Sequence, residues 1–306
     1  MNSDRSRSWH YGLRACILFG FAMFIVFLVK SDNILYYIAP RMIIYVKLAA
    51  LGLYAISVYQ GYLAVQTLRG KEADCSCDHP PSSSKFKNTI LYSLFIIPLL
   101  LGFLVPNSVM GSALAAKKGV NLSSSNSVKT PPATSSPNIR TEEEIDKTIM
   151  EENLGADQLG EMFKSDQFTE LYAKQGKQLY ASDLIEIKDD IFIETLTTLD
   201  LYMDNFIGKK LEVSGFVYRE DTLPENQFVV ARFAIQCCSA DAAPYGVLVE
   251  LPRAKNYSDD TWVKVSGIIS KANMHDMDIL KLDVQSIEKI EVPANPYVYP
   301  NYEFEP

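Results

Sequence analysis

Histidine occurs three times and tryptophan twice in 306 residues. The shortage of histidine narrows the chemistry at once, because proton transfer near neutral pH draws on imidazole more than on any other side chain. His10 and His79 sit in or beside the apolar N-terminal third, and His275 stands alone in the rest. No HExxH, no glycine-rich phosphate loop and no Ser/His/Asp elbow occurs. The adjacent acids Asp189 and Asp190, and Asp259 and Asp260, fall at element edges, where a solvated charge is the ordinary reading. Catalysis is therefore not expected. An excess of positive charge is missing too: 29 Lys and Arg stand against 37 Asp and Glu, a formal net charge of -8. That balance argues against nucleic acid as a partner.

What the chain does have is apolar sequence, spread unevenly. Three runs lie before residue 117: "ACILFGFAMFIVFLV" (15–29), "LAALGLYAISVYQGYLAVQTL" (48–68) and "NTILYSLFIIPLLLGFLVPNSVMGSALAA" (88–116). The first is short for a span of about 20 residues, but Arg14 and Lys30 can snorkel and extend it. Three such runs in so short a stretch leave too few polar faces for a soluble domain. Spans are expected at about 13–30, 46–68 and 88–108, within a transmembrane domain of residues 1–116. No small-residue cleavage site follows the first run, whereas "ALAA" (113–116) resembles one, so cleavage near Ala115 is an open alternative. Arg5, Arg7 and Arg14 flank the first run, and Arg69, Lys71, Lys85 and Lys87 lie between the second and third. The positive-inside rule then places the N-terminus in the cytoplasm and everything after the third span outside. Lys30, Arg41 and Lys47, between the first two runs, weaken that bias.

Residues 117–140 are rich in Ser, Thr and Pro and read as a tether without a core. Residues 141–306 are expected to form the extracytoplasmic domain. It opens with helical sequence: Thr141 and Glu144 make a capping box, and "DDIFIETLTTLDLYMDNFIG" (189–208) sets Phe192, Leu196, Leu199 and Met203 on one stripe. The period then switches to two. "GKKLEVSGFVYRED", "QFVVARFAIQCC", "YGVLVELP", "TWVKVSGIIS" and "LKLDVQSIEKIEV" are five strand candidates. Gly215 and Gly267 share a V-S-G pattern that suggests sharp bends. The expected fold class is thus a three-span helical membrane region plus a mainly-β domain, an OB-like five-stranded Greek-key barrel with flanking helices.

Five features together carry a family resemblance: "PRM" (40–42), "PLLLGFLVP" (98–106), "GKKLEVSGFVYRED" (208–221), "RFAIQCCSADAAPYGVLVE" (232–250) and the late "NPYVY" (295–299). With the spans, they resemble the YcgQ family of bacterial membrane proteins over nearly the whole chain. The resemblance implies a membrane-embedded protein encoded beside a multi-pass permease and described as its subunit. It brings no catalytic residues. Similar members carry a His- and Asp-rich segment around Cys-x-Cys before the third span. Here that segment is reduced to "CSCDH" (75–79).

Two clusters offer metal-ligating chemistry. Cys75, Cys77 and His79 place three soft or borderline donors within five residues, suited to Zn²⁺ or Cu⁺. A solvated loop with two reduced thiols is the plain alternative. Cys237 and Cys238 read as consecutive strand residues, so their side chains are expected on opposite faces. Asp241 follows closely, and His275, Asp276 and Asp278 are further donors elsewhere in the domain. Metal site, strained redox pair and packing all stay open for the pair. For helix contact with a partner bundle, Pro40, Arg41, Pro98 and Gly102 are the candidates, Gly102 because a small residue allows close approach.

Two functions of different class follow. The first is a membrane-anchored accessory subunit whose extracytoplasmic domain docks on or gates a permease in the lipid bilayer. The second is a metal- or thiol-responsive membrane protein using "CSCDH" and the Cys237/Cys238 pair.

Overall fold

The computed structural model describes residues 2–69, 84–105, 107–123, 156–220, 222–274 and 277–306. Two compact units emerge: residues 1–109 grouped with 237–239, and residues 110–236 with 240–306. Cys75, Cys77 and His79, the Thr141/Glu144 capping box, His275 and Asp276 lie outside the described residues.

The first unit is built from three long helices, α1 (Asn2–Lys30), α2 (Ile43–Leu68) and α3 (Lys85–Leu104). Segments Arg7–Lys30, Pro40–Leu68 and Phe86–Leu104 are long and apolar enough to cross a membrane. All three expected apolar helices are present. Several of their polar side chains find partners inside the unit, the arrangement an apolar solvent favours. Ser57 Oγ donates to the Ala15 carbonyl at 2.8 Å and Ser8 Oγ to that of Ala64 at 2.8 Å, tying α1 to α2. His10 Nδ1 lies 2.9 Å from the Tyr92 hydroxyl, with the rings stacked, and links α1 to α3. Phe24 meets Phe103 edge to face at 5.0 Å between centroids. No residue in the most apolar stretch of α3 is buried.

Among the described residues, the second unit holds five short helices and one mixed sheet. The helices are α4 (Ser112–Lys118), α5 (Ala156–Met162), α6 (Glu170–Tyr180), α7 (Phe192–Leu201) and α8 (Met203–Phe206). The strands are β1 (Leu184–Glu186), β2 (Lys210–Tyr218), β3 (Gln227–Ala234), β4 (Ala243–Glu250), β5 (Trp262–Met274), β6 (Met277–Lys289) and β7 (Tyr297–Val298). Their order is β1-β2-β5-β6-β4-β3-β7. Where the alternating pattern marks five strands, the sheet has seven, because β1 and β7 add short parallel pairings to β2 and β3. β2 also pairs antiparallel with β3, so the pairings β2–β5–β6–β4–β3 return to β2.

The apolar stripe read from residues 189–208 is buried as expected: Phe192, Leu196, Leu199 and Met203 all enter the core. There they pack with Phe206 of α8 and with Phe228, Val230, Val249, Val263 and Leu282 from the sheet's inner face. Full burial of side chains this size is worth roughly 1.5–3 kcal/mol each, which is how a period-two pattern becomes a stable sheet. The register of β5 on β6 shifts at Ser266/Gly267, a bulge at the second V-S-G.

Candidate functional site

β3 ends at Ala234, and Gln236, Cys237, Cys238, Ser239, Ala240 and Asp241 make the connection to β4. The strand stops here because the chain turns on Asp241, whose Oδ1 accepts the Gln236 backbone N–H at 2.9 Å. A carboxylate closing a loop onto a nearby main-chain amide is the ordinary work of aspartate in turns. Ala242 is buried against the domain while Asp241 is exposed. Lys118, at the end of α4, donates its ammonium protons to the carbonyls of Ala240 and Ala242 and so grips the turn on its far side. Within the first unit, Cys237 and Ser239 bond through their backbones to the loop before α2: Ala39 N–H donates to Cys237 O at 3.0 Å, and Ser239 N–H to Tyr37 O at 2.8 Å.

This turn corrects the expectation that the two cysteines face opposite ways. Alternation holds only along an extended strand, and the strand has ended three residues earlier. The sulfurs instead converge to 3.7 Å. A disulfide needs about 2.05 Å, so both side chains are thiols. Cys237, Cys238 and Asp241 each offer a donor atom, all within 4.8 Å of one another, with the sulfurs half-buried and the carboxylate exposed. The set combines two soft donors with one hard one, which suits a borderline cation.

The remaining residues singled out from sequence are scattered. Asp278 does not join the cluster; it faces Lys271, at 3.5 Å, and Asn273. Pro40 and Arg41 are exposed in a single 3₁₀ turn leading into α2. Pro98 is exposed inside α3. At Gly102 a side chain would meet the Phe24 ring, its Cζ 2.7 Å from an added Cβ, so the missing side chain makes room for α1 of the same chain. No local pattern in the sequence marks Lys118, since only the fold brings it across more than a hundred residues to its carbonyl partners.

Comparison with known proteins adds to this geometry. The DUF1980 N-terminal domain matches residues 13–121, and the DUF1980 C-terminal domain matches residues 162–300. The chain belongs to the DUF1980 family. The UPF0703 protein YcgQ of Bacillus subtilis is 26% identical over 308 residues, covering 94% of this chain and 98% of its own. A Streptococcus mutans protein named "Putative two-component membrane permease complex subunit" is 26% identical over 219 residues, or 71% of this chain and 74% of its own. This DUF1980 chain also aligns with a small single-stranded DNA-binding protein of Streptomyces coelicolor. That match has 12% identity and a TM-score of 0.17, covers 27% of this chain and 94% of that one, and carries no argument.

Proposed function

We propose that this DUF1980 protein is a membrane-anchored accessory subunit of a multi-pass permease, and that its C-terminal unit docks on or gates that partner from the extracytoplasmic side. The observation that carries the reading is α3. It is a span-length helix that packs on α1 along one side yet has no buried residue in its most apolar stretch, and Pro98 is exposed along it. The name of the Streptococcus mutans relative supports the same role. Proline inside a membrane helix leaves a backbone carbonyl without its usual donor, and neighbouring helices are the common remedy. Pro40 and Arg41 stand at the mouth of α2, where an interfacial contact with a partner would fall.

The ring of pairings β2–β5–β6–β4–β3 supports an OB-like barrel within the C-terminal unit. The basic residues flanking the first span and preceding the third support an N-terminus in the cytoplasm.

The test is affinity purification of the tagged chain from native membranes after crosslinking. The permease encoded beside it is expected to co-purify, and Leu94→Lys or Leu101→Lys on the exposed face of α3 is expected to reduce recovery at least about tenfold. Equal recovery with and without those substitutions, or full transport by the permease in cells lacking this chain, would sink the proposal. Proteolysis of sealed vesicles tests the sidedness.

A further inference from the structure

We infer that the turn carrying Cys237, Cys238 and Asp241 is a binding site for a thiophilic divalent cation of the Zn²⁺ class. The sulfur separation is the leading argument. Two thiolates on one tetrahedral zinc, each bonded at about 2.3 Å, lie about 3.75 Å apart; here the sulfurs are 3.7 Å apart. A two-coordinate linear site of the kind Cu⁺ adopts would hold them twice a bond length apart, well beyond that distance. The pair is therefore set for a tetrahedral ion.

The third donor is a carboxylate already close to place. All three donor atoms lie within 4.8 Å of one another. Asp241 Oδ1 accepts the Gln236 amide N–H. Ligating carboxylates are oriented by such outer hydrogen bonds. Lys118 fixes the carbonyls on either side of Asp241, so the turn is shaped before any ion arrives. Three protein donors leave the fourth position open, as in zinc sites that exchange ligands and unlike closed structural ones. On binding, two thiol protons leave and two sulfur–metal bonds form, with no change of oxidation state.

The experiment uses the full-length chain in detergent, with Cys16→Ser, Cys75→Ser, Cys77→Ser and His79→Gln so that these two thiols alone remain. Cd²⁺ and Zn²⁺ are titrated anaerobically. Expected are an ultraviolet thiolate-to-Cd²⁺ charge-transfer band saturating at one ion per chain, release of about two protons per ion, and displacement of Cd²⁺ by Zn²⁺. Cys237→Ser and Cys238→Ser are each expected to weaken binding at least about 100-fold, and Asp241→Asn, which keeps an acceptor for the Gln236 amide, at least about tenfold. Circular dichroism confirms that each variant is folded. Absence of a saturating band, or an affinity that Cys237→Ser leaves unchanged in folded protein, overturns the assignment.

Discussion

Arg232 and Asp189 are joined by two hydrogen bonds, 2.9 Å from Nη1 to Oδ1 and 3.3 Å from Nη2 to Oδ2. The guanidinium is almost wholly buried while the carboxylate is 54% exposed. Arg232 also donates to the carbonyls of Pro296 and Asn295, at 3.1 Å each, and lies 5.1 Å from the Trp262 ring centroid. One side chain on β3 thereby ties together the turn before α7, strand β5 and the segment leading into β7. The planar fork of arginine can do this, and lysine cannot.

Removing Asp189 leaves that cation buried with half its fork unanswered. Loss of one partner from a fully buried pair costs about 3–5 kcal/mol. Because Asp189 is half in water, Asp189→Asn is expected to cost less, about 2–3 kcal/mol. Arg232→Met with Asp189→Asn should recover part of the loss, since the uncompensated charge is gone. Urea unfolding followed by Trp262 fluorescence in a Trp9→Phe background measures both. A double variant no better than the single one would show that the guanidinium's packing matters more than its charge.

Glu194 makes the stability of the same domain depend on pH. It is buried on α7; Oε1 accepts the Asn301 backbone N–H at 2.7 Å, and Oε2 is buried with no hydrogen-bond partner among the described residues. Burial pushes this carboxyl above its ordinary value of 4.5, and Asp190 adds to the effect, while the Asn301 amide opposes it. Above the folded value Glu194 is ionised in both states and its desolvation weakens the fold. As pH falls below that value, the folded state takes the proton first, and stability from this group rises until about 4.5, where the unfolded chain is protonated too. Glu194→Gln is expected to raise the melting temperature at pH 7 by about 2–4 °C. The gain should vanish as pH approaches 4.5; a constant gain across that window would rule out the carboxyl as its source.

Asp260 tests how the chain between α3 and the sheet is held. Both of its oxygens bond Ser112, Oδ1 to the backbone N–H at 2.6 Å and Oδ2 to the hydroxyl at 2.9 Å. It does this from a left-handed backbone, φ 64, a conformation aspartate and asparagine tolerate better than most residues. Asp260→Asn keeps one acceptor and should cost under about 1 kcal/mol, whereas Asp260→Ala loses the cap and adds backbone strain, about 2 kcal/mol. Limited proteolysis near residues 110–123 should rise for the alanine variant. Asp260→Gly separates the two causes: if it restores stability, strain dominates; if protection is not restored, the cap does.

How far this molecule could be read in advance follows the range of its interactions. The three apolar helices, the stripe on α7 and the five long strands are local patterns, and residues within one or two turns reveal them. β1 and β7, at three and two residues, are too short to show any period. α6 hides for another reason: its fully buried positions are the small or polar Ala173, Gln175 and Gly176, with Gln175 bonded to Thr195 and Thr198 on α7, and its larger apolar contacts with the core, Leu179 and Tyr180, come only at its end. At the candidate site, the residue types were legible and their arrangement was not. Strand alternation set Cys237 and Cys238 apart, whereas a turn closed by Asp241 and Lys118 sets them together, and Lys118 comes from distant sequence.

The two V-S-G glycines give the sharpest test of the sheet's closure. A Cβ at Gly215 would stand 2.5 Å from the carbonyl oxygen of Ala231, across the β2–β3 pairing that returns the sheet on itself. One at Gly267 would collide with the carbonyl oxygen of Asp283 on β6, at the bulge. In both places the obstacle is backbone, which cannot swing aside as a long side chain can, so the strands must part. Overpacking of this kind costs about 1–3 kcal/mol, and loss of the neighbouring ladder bonds adds to it. Gly215→Ala and Gly267→Ala are each expected to lower stability by at least about 2 kcal/mol. They should differ in where protection is lost: amide hydrogen exchange should quicken at Val229–Ala231 for the first and at Asp283 and Val284 for the second. Faster exchange across the entire sheet in both variants would mean that β2–β3 and β5–β6 open together, as strands of one closed ring would. Loss confined to each pair would mean that the two joints hold independently.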